Sequence, residues 1–255
     1  MPAVPTRLLR LLSCVVALLW TLPASAQNVT EWSSETRTIL AFRVNPDALQ
    51  RMLPAGWVSA PSTAPATPGA NLNLTLMERV VVLDPQGKPV RSGTSRYFVL
   101  GAPAKNAQTG QTNTIIIGGM SPEGPGAYSV YTTATTATLE RSVSGDGETQ
   151  GRVQETWQFA AASGERLDLR VVYRRGPAAK AHVESVVRSA VKPEFQRTYR
   201  IDQAADVVRS AIAPDRVEQV SFRIAGPAFS KVFDGSESLL GVTAVPFYVR
   251  EISIP

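Results

Sequence analysis

The chain has 255 residues, of which 44% are hydrophobic and 18% charged, with a formal net charge of +5, one histidine and one cysteine. That inventory excludes a disulfide framework, and it leaves a zinc site dependent almost wholly on carboxylates, an uncommon arrangement for zinc. The mild positive balance does not point to nucleic acid.

The N-terminus reads as a leader for export. Arg7 and Arg10 form a basic region, residues 11–22 are apolar except Ser13 and Thr21, and Ala24-Ser25-Ala26 gives the small residues a signal peptidase accepts. The apolar run falls short of the ~20 residues a spanning helix needs. Cleavage after Ala26 would make Gln27 the first mature residue and remove Cys14, leaving 229 of 255 residues as one domain. Loss of Arg7 and Arg10 takes Lys+Arg from 26 to 24 against 21 Asp+Glu, a mature charge of about +3. The expected destination is the periplasm or the exterior. No membrane span is expected after the leader, since no second long apolar run follows.

The mature chain reads mostly as strands. Residues 36–44 are β-branched and apolar. Residues 45–53 read as a short helix: Asn45 is a good N-cap, Pro46 suits the first turn, Asp47 favours its positive end, and Pro54 stops it. Residues 59–69, rich in Pro, Ala, Ser and Thr, read as a loop. In 71–76 alternation puts Leu72, Leu74 and Leu76 on one face. Residues 78–83 continue as a strand, and a turn follows at Asp84-Pro85-Gln86-Gly87. Residues 95–100 and 112–117 are further strands. Gly101 to Lys105 reads as part of an exposed loop, and Gly118-Gly119 and Gly124-Pro125-Gly126 as turn glycines. Residues 153–160 and 166–173 form a hairpin around Gly164. Strands at 195–201, 217–224 and 239–254 and a second short helix at 227–233 complete the chain. Many strands joined by turns argue for a barrel or sandwich.

Most reaction classes lack their residues. The lone imidazole, His182, lies in a strand with no nucleophile motif beside it. No phosphate-cradling glycine loop is present. No cofactor is expected.

Four segments, in order, resemble acetoacetate decarboxylase: Arg43 with Asn45-Pro46-Asp47-Ala48-Leu49 and Leu53-Pro54; Lys192-Pro193-Glu194-Phe195; Gly226-Pro227 leading to Phe233-Asp234; and the closing Ile252-Ser253-Ile254-Pro255. The resemblance spans most of the mature chain. It implies a mainly β protein, a single antiparallel cone-like β-barrel with two or three short helices and a partly buried pocket. In that family a lysine amine, kept neutral by an apolar pocket or a cationic neighbour, forms a Schiff base with a β-keto acid; acetoacetate decarboxylase is itself the known instance of this activation. The resemblance puts Thr132 and Thr133 about where the lysines of the family's Pro-Lys-Lys run would stand. No lysine lies between Lys105 and Lys180. Thr75 stands where a family glutamate is expected, and the Ser92-Gly93-Thr94 region, expected to hold a second, has no acid. Arg37 either takes the role of the family's pocket arginine or is a solvated strand residue. Tyr128 and Tyr131 either line the pocket or fill the core.

The leading expectation is an exported protein without a Schiff-base lysine that binds a small apolar or carboxylated molecule through Arg37, Thr75, Tyr128, Tyr131, Thr132 and Thr133. The alternative is a lyase or hydrolase acting on a small carbonyl compound with Glu78, Glu140 and Tyr131. A scaffold that binds a partner protein is the third reading. The oligomeric state stays open.

Overall fold

A computed structural model describes residues 28–145 and 151–255. The expected leader and Gln27 lie outside the described residues. The first strand, β1 (Asn28–Arg43), starts eight residues before the expected position. It runs into α1 (Pro46–Gln50), where Asn45 Oδ1 accepts from the Asp47 and Ala48 N–H groups at 3.0 and 3.1 Å, as its capping role requires. The helix is shorter than expected and passes into turns before Pro54.

After β2 (Trp57–Ser59), the strand signal of 71–76 and its continuation at 78–83 form one strand, β3 (Leu72–Leu83). Strands β4 (Ser95–Asn106) and β5 (Thr112–Ser121) also outrun their expected limits. Two expectations fail here. Gly101 to Lys105 belongs to β4, where Ala102 and Ala104 are fully buried and only Lys105 is exposed; Gly118 and Gly119 belong to β5. Tertiary pairing explains both: β4 is flanked by β3 and β2 on one side and β5 on the other, so its alanines become interior. There follow β6 (Thr132–Thr133), β7 (Thr136–Ser144), β8 (Arg152–Ala160) and β9 (Arg166–Arg174), the last two joined by the expected Gly164 hairpin. Then come β10 (Ala179–Ser189), β11 (Gln196–Arg209), β12 (Val217–Ala225) and β13 (Ser238–Ile254). The expected helix at 227–233 is instead a run of turns, in which the Phe229 and Ser230 N–H groups both donate to the Gly226 carbonyl. Burial of Phe229, Val232 and Phe233 in the core fixes its path.

The protein is mainly β. One sheet has the order β2-β4-β3-β1-β13-β11-β10-β5-β6, and pairing of β4 with β5 closes seven of its strands into a ring. The rest of the ring is antiparallel, but β10 meets β5 in parallel, as does β6. Parallel neighbours need a long crossover, and β6 to β9 supply it. A second, four-stranded antiparallel sheet, β12-β9-β8-β7, lies against the ring. The expected single antiparallel barrel therefore becomes a ring with one parallel seam and an added sheet.

Alternation gives each ring strand two faces. Leu40, Phe42, Leu72, Leu74, Leu76, Phe98 and Leu100 pack with Val153, Trp157, Phe159, Leu167 and Leu169 of the second sheet in one apolar core. Edge-on and tilted ring pairs cross the layer, Phe98 to Phe159 and Phe42 to Phe222, each with centroids 5.0 Å apart. Full burial of a leucine or phenylalanine stabilises by about 1.5–3 kcal/mol. The opposite faces look into the ring, and their chemistry differs.

Candidate functional site

Glu31, Ser33, Glu35 and Arg37 recur at every second residue of β1, so they share the face opposite Leu40 and Phe42. Register places Thr75, Met77 and Arg79 of β3 on the same face, through the pairs Ile39–Thr75, Arg37–Met77 and Glu35–Arg79. Tyr97 of β4, Tyr199 of β11 and Tyr248 and Arg250 of β13 join them. Rings on separate elements meet here: Tyr97 lies 6.3 Å from Tyr131, and the Tyr128 hydroxyl hydrogen-bonds that of Tyr199. Contacts of this kind, from the segment 128–131 between β5 and β6 to both β4 and β11, which do not pair with each other, mark the inside of the ring.

The charges form an alternating chain. Arg91 pairs with Glu123, Glu123 with Arg79, and Arg79 with Glu31 at 3.4 Å; Arg250 lies 3.7 Å from Glu31 and 2.8 Å from Glu35; Glu35 ends on Arg37 at 2.6 Å. Exposure is greatest near its outer end, 39% for the Glu123 side chain, and least near its inner end, 0% for Glu35. Burial alone would raise the Glu35 carboxyl, but Arg250 and Arg37, with a hydrogen bond from Ser33, outweigh it and hold the pKa at about 2. Burial likewise opposes the charge on Arg250, and Glu35 reverses the sign, so that its pKa rises. Arg250 also lies 4.6 Å from the Tyr199 ring centre, and Arg37 3.5 Å from that of Tyr248. Burial raises the phenols of Tyr97, Tyr128, Tyr131 and Tyr248, so each keeps its proton and can donate.

A cavity of about 180 Å³ opens between these groups. Four arginines, Arg79, Arg91, Arg197 and Arg250, line it against two glutamates, Glu31 and Glu123, an excess of two positive charges. Arg197 stands apart from the chain. Its guanidinium lies 5.9 Å from the Tyr128 ring centre and 5.8 Å from that of Phe195, its Nε is buried without a hydrogen-bond partner, and it makes no ion pair among the described residues. Glycine lets Tyr131 reach the cavity: a Cβ on Gly126 would lie 2.7 Å from its ring and one on Gly119 3.1 Å. Gly126 is also left-handed, at φ +63°.

Of the six residues singled out from the sequence, Tyr128 and Tyr131 line this cavity. Thr75 is buried on the same strand face without lining it. Arg37 pairs with Glu35 at the inner end of the chain and lines a second cavity of about 170 Å³ at the seam with the smaller sheet. There the carboxylates are already engaged, Glu155 by Thr38, Arg141 and Trp157, and Asp206 by Arg216 and the Gly176 N–H. Thr132 and Thr133 occupy the edge strand β6, and Thr133 is exposed. Glu78 pairs with Arg96 and Arg141 outside the ring interior, and Glu140 is exposed. All five lysines, Lys88, Lys105, Lys180, Lys192 and Lys231, are exposed.

Sequence reasoning missed Glu35, Arg79, Tyr97, Glu123, Arg197, Tyr199 and Arg250. The signal was available as polar residues at every second position, Glu31-x-Ser33-x-Glu35-x-Arg37 and Arg197-x-Tyr199. The same pattern also describes a strand face in water, and only ring closure distinguishes the two. No cluster of three or more His, Cys, Asp or Glu among the described residues has a geometry for metal, and none of their helices is long and apolar enough to cross a membrane.

No family model and no curated protein matches this sequence. Solved structures do match its fold. The enduracididine biosynthesis enzyme MppR, also solved in complex with pyruvate, aligns over 89% of this chain and 87% of its own at a TM-score of 0.53 and 11% identity. An acetoacetate decarboxylase-like enzyme from Sphingomonas wittichii RW1 aligns over 88% and 91% (TM-score 0.52, 13% identity). Acetoacetate decarboxylase from Legionella pneumophila aligns over 92% and 93% (TM-score 0.50, 10% identity). With nearly the whole of each chain aligned, at identities too low to carry activity, this protein has the acetoacetate decarboxylase-like fold.

Proposed function

We propose that the protein is exported, that it carries no Schiff-base lysine, and that the interior of its ring binds a small carboxylated molecule. The observation that carries the binding reading is Arg197, a cation without a counter-ion among the described residues, at a cavity lined with two surplus positive charges. An arginine so placed gains most from an anion with two parallel acceptors, as a carboxylate has. Phenol donors and ring faces around it would hold the remainder of a small organic acid. MppR, which shares the fold, has been solved with pyruvate, itself a small carboxylate.

Exposure of every lysine supports the absence of imine chemistry, since a solvated ammonium stays protonated at neutral pH and is a poor nucleophile. Guanidinium groups do not substitute, because they do not lose their proton in proteins. Borohydride reduction in the presence of a panel of β-keto acids, followed by peptide mapping, tests this directly. The expected result is an unmodified chain; a reduced adduct on any lysine overturns it. Export rests on Arg7, Arg10, the apolar stretch 11–22 and Ala24-Ser25-Ala26. Intact mass of the protein recovered outside the cytoplasm should match a chain starting at Gln27.

A further inference from the structure

We propose that Glu123 is an internal counter-ion that sets the charge of the ligand: it occupies the place of a second ligand carboxylate, and the cavity takes a short-chain dicarboxylate when Glu123 swings out. This rests on the anion-binding reading of the same cavity. Glu123 presents both carboxylate oxygens to Arg79 Nη2, at 3.0 Å each, and Oε2 to Arg91 Nη2 at 2.8 Å, with a further contact from Arg91 Nη1. Two guanidiniums converging on one carboxylate is the arrangement by which a protein binds a carboxylate ligand. The burial is lopsided: the Arg79 and Arg91 side chains are 9% and 25% exposed, and that of Glu123 39%. Arg79 is built into the wall on β3, Arg91 closes over it from the loop between β3 and β4, and the acid is the most exposed of the three.

Glu123 belongs to no strand. It sits on the turns at 122–129, and the Ser121 hydroxyl accepts its N–H at 3.1 Å. Rotation of its side chain into water is enough to vacate the site. Arg79 and Arg91 would then face the same cavity as Arg197, with one carboxylate position at each. About 180 Å³ is the room of roughly six waters at ~30 Å³ each, which suits a diacid of a few carbons. With Glu123 turned out, four arginines face Glu31 alone, and a dianion offsets two of the three surplus charges where a monoacid offsets one. A monoacid needs only Arg197 and has no call on Arg79 and Arg91.

Calorimetric titration of the mature protein with glutarate and with butyrate, at fixed ionic strength, tests this. Glu123→Gln is expected to strengthen glutarate binding at least tenfold and to change butyrate binding less than twofold. Glu123→Asp keeps the charge and shortens the reach by one methylene, so that it cannot span both guanidiniums; a gain of about threefold for glutarate alone is expected, and it provides the answer if the glutamine variant does not fold. Arg197→Gln should weaken both acids at least tenfold. If the Glu123 variants strengthen neither acid, or both alike, while Arg197→Gln still weakens both, the counter-ion proposal is overturned and the anion-binding reading survives. If neither acid binds the unaltered protein or any variant, both fall.

Discussion

The two faces of β1 and β3 come from the same stretches of chain and obey opposite rules. On one, Leu40, Phe42, Leu72, Leu74 and Leu76 meet Trp157 and Phe159 of the smaller sheet in a layer whose main polar intrusion, Glu155, is satisfied by Thr38, Arg141 and the Trp157 indole N–H. On the other, Glu35, Arg37 and Arg79 face into the ring among tyrosines and arginines, and one cation, Arg197, has no ionic partner among the described residues. The apolar layer has a reason to be buried in any solvent-free packing. The ring interior bears the cost of desolvating charges, and it leaves a cavity instead of filling it. Such an arrangement is costly for stability and useful for recognition, and so the functional reading belongs to the ring interior.

The contrast is open to direct test by substitution. The largest effect is expected in the apolar layer: Trp157→Ala should cost about 3–5 kcal/mol in urea unfolding, since it opens a cavity and deprives Glu155 of a donor. A loss under 1 kcal/mol would mean that the smaller sheet is only loosely docked on the ring. Next comes Glu35→Gln, which strands Arg250 and Arg37 in the interior and should cost about 3 kcal/mol at neutral pH.

Acid should produce a loss of similar size. The folded pKa of Glu35, about 2, lies below the ordinary 4.5, so its contribution is complete above pH 4.5 and disappears as pH falls toward 2. Unfolding free energy should drop by roughly 3 kcal/mol through that window from this group, and the Glu35→Gln protein should lack this component. The smallest stability effect should come from Arg197→Gln, within about 1 kcal/mol of the unaltered protein, because it has no ion pair among the described residues and loses only ring contacts at 5.8 and 5.9 Å. That variant sharpens the contrast most: nearly silent in unfolding, it should abolish the rise in Tm that the proposed binding of a small carboxylate would give the unaltered protein.

Much of the strand pattern was legible. Leu72, Leu74 and Leu76 announced their face by alternation, and all three are fully buried. Asn45, Pro46 and Asp47 announced the helix start, and the Asn45 cap is in place. Less legible were the elements that take their state from neighbours. Ala102 and Ala104 carry no strong strand preference, and they are strand because β4 is clasped on both sides. The 227–233 segment has helical residues but takes its path from where Phe229 and Phe233 find room. The candidate site was legible only in Tyr128 and Tyr131. Thr132 and Thr133 were reached by alignment to a family run, and they occupy the edge strand β6 next to Tyr131 without lining the cavity.

Periodicity, caps and turns are local properties, and they were enough to establish a mainly β chain with apolar faces at known residues. Whether an alternating row of Glu, Ser and Arg meets water or a closed interior is not local. It depends on β4 finding β5 across the ring and on β11 and β13 bringing Arg197, Tyr199 and Arg250 opposite β1. Side-chain alternation gives each residue a face, and ring closure gives each face its surroundings.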